Sequence, residues 1–245
     1  MKRDWWSDEF RMMVAIGEST TAGGWSTSRD RCWVSLLADL ISNYQSRPVE
    51  FVNMGIGANV ISRRSPCYAS GSKPAGDERV DEHVIAHHPD LVIVSYGLND
   101  ARGGTPVELF AEELVALVRC IRRQTRALIV LLGPYYITDF ALGGKEWGHA
   151  DLPLLYEFNQ VIAEVGEEEQ CLFVDVLAAN GETDWMIHYD GVHANDLGHR
   201  IIANEVFEVL AQNCSCLARH TKELEKTSPR WRDESTLKAK AHRKA

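Results

Sequence analysis

Met12-Met13-Val14-Ala15-Ile16 runs without a polar residue and then stops at Gly17-Glu18-Ser19-Thr20. A short, continuous apolar run bounded by turn residues reads as a strand buried on both faces. Four further runs have the same character, at residues 49–52, 91–95, 127–132 and 171–174. Between them the apolar residues return with helical spacing. Residues 31–45 carry Trp33, Leu36, Leu37, Leu40 and Ile41, and residues 77–88 carry Val80, Val84 and Ile85. Residues 106–125 carry Phe110, Leu114, Leu117, Val118 and Ile121, and helices are also expected at 152–169 and 195–212. Strands alternating with helices predict an α/β fold with a central parallel five-stranded sheet and right-handed crossovers. Two segments read as insertions after strand ends: residues 62–76, rich in Ser, Pro and Gly, and residues 135–150, with four aromatics among glycines. Both should lie at the carboxyl edge, where open α/β sheets bind ligands.

The chain has 245 residues, 45% hydrophobic and 25% charged, enough for one large domain with a sizeable core. Its net charge is −9; residues 219–245 hold nine Lys/Arg against four Asp/Glu, which leaves the body at −14. An acidic body argues against nucleic acid as the main partner. One domain over residues 1–218 is expected, followed by a charged, flexible tail over 219–245 that carries Pro229 and Trp231. No run approaches the ~18–20 apolar residues of a membrane span. Asp4, Asp8 and Glu9 interrupt any signal-peptide core, so a cytoplasmic location is expected. The six cysteines include no CxxC pair and are expected to be reduced.

Candidate chemistry gathers at strand ends. Ser19 follows the first run; taken alone, Gly-Glu-Ser-Thr reads as an ordinary helix N-cap. Asp190-Gly191-Val192-His193 places a carboxylate and an imidazole three residues apart, a spacing that lets the carboxylate orient the ring for a serine. The same stretch reads equally as an Asp-Gly turn with an incidental histidine. His87, His88 and His199 are expected at solvated helix positions. Gly97-Leu98-Asn99-Asp100 offers a side-chain amide to a developing oxyanion, or simple turn chemistry. Asn53-Met54-Gly55-Ile56-Gly57-Ala58-Asn59 offers close backbone approach. Its spacing is not that of a dinucleotide fingerprint, and no Walker-type phosphate loop occurs.

These four stretches, in this order, resemble the blocks of the SGNH (GDSL-type) hydrolases. The first is Gly17-Glu18-Ser19, with Glu for the usual Asp; the blocks at Gly97 to Asp100 and Asp190 to His193 match fully. The second departs, because counting from Asn53 puts Ala58 where the family has its oxyanion glycine, with Gly57 one residue earlier. The resemblance spans residues 12–212 and implies a flavodoxin-like three-layer α/β/α sandwich. It implies a serine esterase with Ser19 as nucleophile, His193 as base and Asp190 orienting it. The oxyanion would be held by the N–H groups of Ser19 and of Gly57 or Ala58, with the Asn99 amide. No metal or organic cofactor is implied, and the partner is a small-molecule ester. Trp25, Tyr135 and Trp147 are candidate substrate contacts. Aromatic residues there suit a short-chain, carbohydrate-linked O-acyl ester. They equally suit a longer acyl chain, a lysophospholipid or a thioester, or simply the packing of the loop itself. A non-catalytic binding module on the same fold is the alternative of another class.

Overall fold

The computed structural model describes residues 2–229, 234, 235 and 238; Trp231 lies outside them. Five parallel strands, β1 (Met12–Gly17), β2 (Glu50–Gly55), β3 (Leu91–Ser95), β4 (Leu128–Leu132) and β5 (Leu172–Val174), form one sheet in the order β2-β1-β3-β4-β5. This is the doubly wound order in which the chain reverses direction between β1 and β3. The inner strands are continuously apolar because both of their faces are covered: Met13 to Ile16, and Leu91 to Ile93, are fully buried. The edge strand β2 is only half-buried.

Nine helices accompany the sheet among the described residues: α1 (Ser19–Ala22), α2 (Trp33–Ser42), α3 (Gly76–His83), α4 (Leu98–Arg102), α5 (Val107–Gln124), α6 (Leu152–Glu168), α7 (Val176–Asn180), α8 (Asp196–Asn213) and α9 (Cys216–Glu225). Helices α2 and α8 pack together on one face, and α3, α5 and α6 on the other. The predicted stripe of α5, Phe110 to Ile121, is the face it buries. Asn195 caps α8 by accepting the N–H groups of Leu197 and Gly198, so the helix begins where the sequence offers its first good cap.

Two expectations change. The helix over 77–88 ends at His83, and a 3-10 turn, Ile85–His87, follows it with His88 in the left-handed region. His199 is a core residue, 1% exposed, whose Nδ1 accepts the Trp33 N–H at 3.3 Å. Burial drives its pKa down to about 4, so it packs as a neutral ring between α8 and α2. Helix α9 runs continuously through residue 219, and Leu217 near its start is buried against the core. No helix among the described residues is long and apolar enough to cross a membrane.

The topology sets the site. β1 and β3 are neighbours in register, with Gly17 beside Ser95, so the segments leaving their carboxyl ends emerge side by side. A Cβ on Gly17 would lie 2.4 Å from the Ser95 carbonyl oxygen, so only glycine fits this approach. The two insertions leave β2 and β4 at the same edge. They pack on each other, with Trp147 and Tyr68 against a small cluster of Val60, Cys67 and Ala75.

Candidate active site

Ser19 is the first residue of α1, where the chain turns from strand to helix. Its backbone N–H falls in the first helical turn and has no helical acceptor. Its Oγ lies 3.0 Å from His193 Nε2, and His193 Nδ1 lies 2.7 Å from Asp190 Oδ2. The other Asp190 oxygen accepts the N–H groups of Val192 and His193, each at 3.0 Å. Gly191, at φ 78°, makes this tight turn, and its carbonyl accepts the N–H groups of Thr138 and Asp139 from the second insertion. Residues 174 positions apart in sequence thus meet in one hydrogen-bonded line.

Electrostatics favour an ionised Asp190 and a neutral His193. Partial burial pushes the Asp190 carboxyl up. Hydrogen bonds from Val192, His193 and the imidazole outweigh burial and hold the carboxyl at about 2. Burial lowers His193 below its ordinary 6.5, and Asp190 offsets only part of that.

Asn99, 3% exposed, donates one amide hydrogen to the Asn59 carbonyl at 3.1 Å and keeps a second. Glu18 is buried and reaches the third block: its two oxygens accept the N–H groups of Leu98 (2.9 Å) and Asn99 (2.8 Å). Burial first, then the charge of Asp100, raises its pKa to about 8. Asp100 is buried as well. It accepts the Ile61 N–H and the Ser65 hydroxyl, which ties the first insertion to α4, and burial raises its pKa to about 7.

The cleft above Ser19 has a volume of about 320 Å³ and is lined by Ser19, Trp25, Gly57, Ala58, Ser72, Asn99, Arg102, Leu142, Gly143, Trp147 and His193. Of the three aromatic candidates, Trp25 and Trp147 line it. Tyr135 does not: it is 5% exposed and belongs to the core, because the first residues after β4 continue beneath the cleft. Ala58 holds φ 51°, the left-handed region, whereas Gly57 is outside that region and a Cβ there would meet nothing within 4 Å. The position with the conformation that favours glycine is therefore Ala58.

Sequence reasoning missed Arg102 and the reach of Glu18. The signal for Arg102 was its place three residues after Asn99, one helical turn on. Nothing local marked Glu18, whose partners lie 80 and 81 positions away.

A serine, histidine and aspartate linked in this order at the carboxyl edge of a parallel sheet form an arrangement suited to acyl transfer. Residues 15–201 match the model of the GDSL-like lipase/acylhydrolase family, and the chain belongs to that family. It is accordingly a carboxylic ester hydrolase. An acetylxylan esterase of Geobacillus stearothermophilus is 27% identical over 177 residues, which cover 65% of this chain and 71% of that protein. The crystal structure of an acetylxylan esterase from Geobacillus stearothermophilus matches with a TM-score of 0.61 at 23% identity, over 84% of this chain and 96% of that one. A lipase/acylhydrolase from Enterococcus faecalis matches with a TM-score of 0.66 at 21% identity, over 82% of this chain and 96% of that one.

Proposed function

We propose that this chain hydrolyses short-chain O-acyl esters carried on a carbohydrate, through a Ser19–His193–Asp190 triad and an acyl-enzyme. The observation that carries the chemistry is the pair of contacts at His193: one nitrogen on Asp190, the other on Ser19. His193 takes the Ser19 proton as Oγ attacks the ester carbonyl. Asp190 fixes the tautomer and stabilises the imidazolium. The same proton passes to the departing alcohol, and water, activated by His193 in turn, releases the acid. The developing oxyanion is held by the Ser19 and Ala58 N–H groups and by the free Asn99 amide hydrogen. Removing one such donor costs about 10²–10³ in turnover.

Two observations support the substrate class. The cleft is small, about 320 Å³, with two tryptophans on its walls that suit stacking on sugar faces. The curated relative quoted above is an acetylxylan esterase. A hydrogen-bonded triad speaks against a binding module that has lost its chemistry.

The test is Ser19→Ala together with labelling by a serine-directed phosphonate. Wild type should lose activity as the label joins Ser19. The variant should stay folded, resist labelling, and show turnover lowered by about 10⁴ or more. Activity within a few-fold of wild type would remove the mechanism. An acyl-length series on one alcohol, from acetyl to palmitoyl, should peak at the short end; a peak at long chains would replace the substrate class.

A further inference from the structure

One buried cation of the cleft has no part in the mechanism above. Arg102 is the last residue of α4, one turn after Asn99, so both stand on the same wall. It is 5% exposed, yet it lines the cleft. A guanidinium carries five N–H donors. One of them, on Nη2, reaches the Leu142 carbonyl. Its Nε is buried with no hydrogen-bond partner. Arg102 forms no ion pair with any described carboxylate. Beside it lies the buried hydroxyl of Tyr135, which faces Thr20 and Ser19 and bears no negative charge at neutral pH. Burial lowers the Arg102 pKa, but a guanidinium stays charged across the working range.

A buried charge is normally paired, because leaving it alone is among the costliest arrangements in a protein interior. This chain has acid in excess, with a net charge of −9, and still brings no carboxylate onto this guanidinium. None of the residues lining the cleft is acidic. Glu18, Asp139 and Asp190 act on Arg102 only through longer-range attraction. Nη1 of Arg102 makes no hydrogen bond and, unlike Nε, is not sealed from the cleft, so its donors stand on the same wall as the Asn99 amide.

We propose that Arg102 recognises a carboxylate carried by the substrate close to the ester that Ser19 attacks. The proposal rests on Ser19 as nucleophile and narrows the ester to an anionic one. A planar monoanion matches a guanidinium edge. A phosphate monoester carries nearly two charges and would meet a single arginine with Asp139 and Asp190 nearby. The carboxylate can sit on the acyl part, as in a dicarboxylic half-ester, or on the alcohol part, as in an acetylated uronic acid.

Arg102 also holds the second insertion, through Leu142 and through its own carbonyl, which accepts the His149 N–H at 3.1 Å. A purely structural role would change the hydrolysis of all esters alike, so the readout is a ratio. Values of kcat/KM are measured for two matched pairs. Monomethyl succinate against methyl succinamate places the anion on the acyl side. An acetylated methyl glucuronoside against its glucuronamide places it on the alcohol side. Wild type should prefer the carboxylate in one pair by about tenfold or more, the effect of one charge-assisted contact. The ratio should fall toward one in Arg102→Gln and recover in part in Arg102→Lys. Equal treatment of both pairs by wild type overturns the proposal, whether or not the variants fold, and so does a preference that survives Arg102→Gln. If Ser19→Ala still hydrolysed the neutral esters, the nucleophile assignment would fail instead, which separates the two outcomes.

Discussion

Trp25 lies flat on His193, with ring centroids 3.3 Å apart and planes inclined by 5°. The imidazole is thus held on three sides: Asp190 at Nδ1, Ser19 at Nε2 and the indole over one face. The stack keeps Nε2 aimed at the serine and removes water from the ring. That dryness is the cause of the lowered His193 pKa, against the pull of Asp190.

The pH profile follows from that direction. In the proposed mechanism His193 must be neutral to accept the Ser19 proton, so protonation on the acid side should stop the reaction. Because its pKa lies below 6.5, the acid limb of kcat/KM for a neutral ester should be centred below pH 6.5. A plot of log kcat/KM against pH checks this; an acid limb centred above 6.5 would contradict it.

Ala58 and Gly57 should respond in opposite ways to the usual expectation for glycine. Ala58→Gly relieves a left-handed alanine and retains the N–H, so it should be neutral or stabilising by up to about 1 kcal/mol, with activity kept. Gly57→Ala enters open space and should change stability by no more than about 0.5 kcal/mol. Ala58→Pro cannot adopt φ 51° and loses the donor, so turnover should drop about 10²-fold or more. Denaturation curves and ester kinetics on the three variants decide it.

Glu18→Gln should disturb both stability and rate. The amide offers one acceptor oxygen where the carboxyl offers two, so either the Leu98 or the Asn99 N–H would face an NH₂ group. A buried donor left unmade costs about 1–3 kcal/mol. The raised pKa adds a pH signature. A carboxyl whose folded pKa is about 8 stabilises the fold below its unfolded value of 4.5 and loses that contribution as pH rises through 8. Wild type should therefore lose stability across that window, with Asp100 adding the same sign up to its value of about 7. Denaturant midpoints for wild type and Glu18→Gln at several pH values test this, and the variant should show the flatter slope.

We propose that the chain beyond Ser228 is dispensable for turnover, while α9 is part of the body. Truncation after Ser228 should leave kcat on a small soluble ester unchanged. Truncation after Ala218 cuts α9 near its start, exposes Leu217 and removes the Arg219–Asp8 pair, and should cost about 2 kcal/mol, mostly from the apolar contacts. Equal midpoints for the two truncations would show that α9 contributes nothing.

The sequence by itself determined the five strands, the major helices and the four blocks that carry Ser19, Ala58, Asn99 and His193. Each depends on local patterning: continuous apolar runs for strands covered on both faces, 3.6-residue periodicity for helices, and turn residues at strand ends. The family's motif spacing then marked which serine and which histidine to pair. What only the tertiary structure decided depends on distant approach. The 3.0 Å contact between Ser19 and His193 exists because α8 packs against α2 and sets the loop before it beside the start of α1. The burial of His199, the withdrawal of Tyr135 from the cleft, the reach of Glu18 to Asn99 and the unpaired Arg102 share one origin. A polar side chain's environment is set by elements far away in sequence, and no local pattern records which of them will cover it.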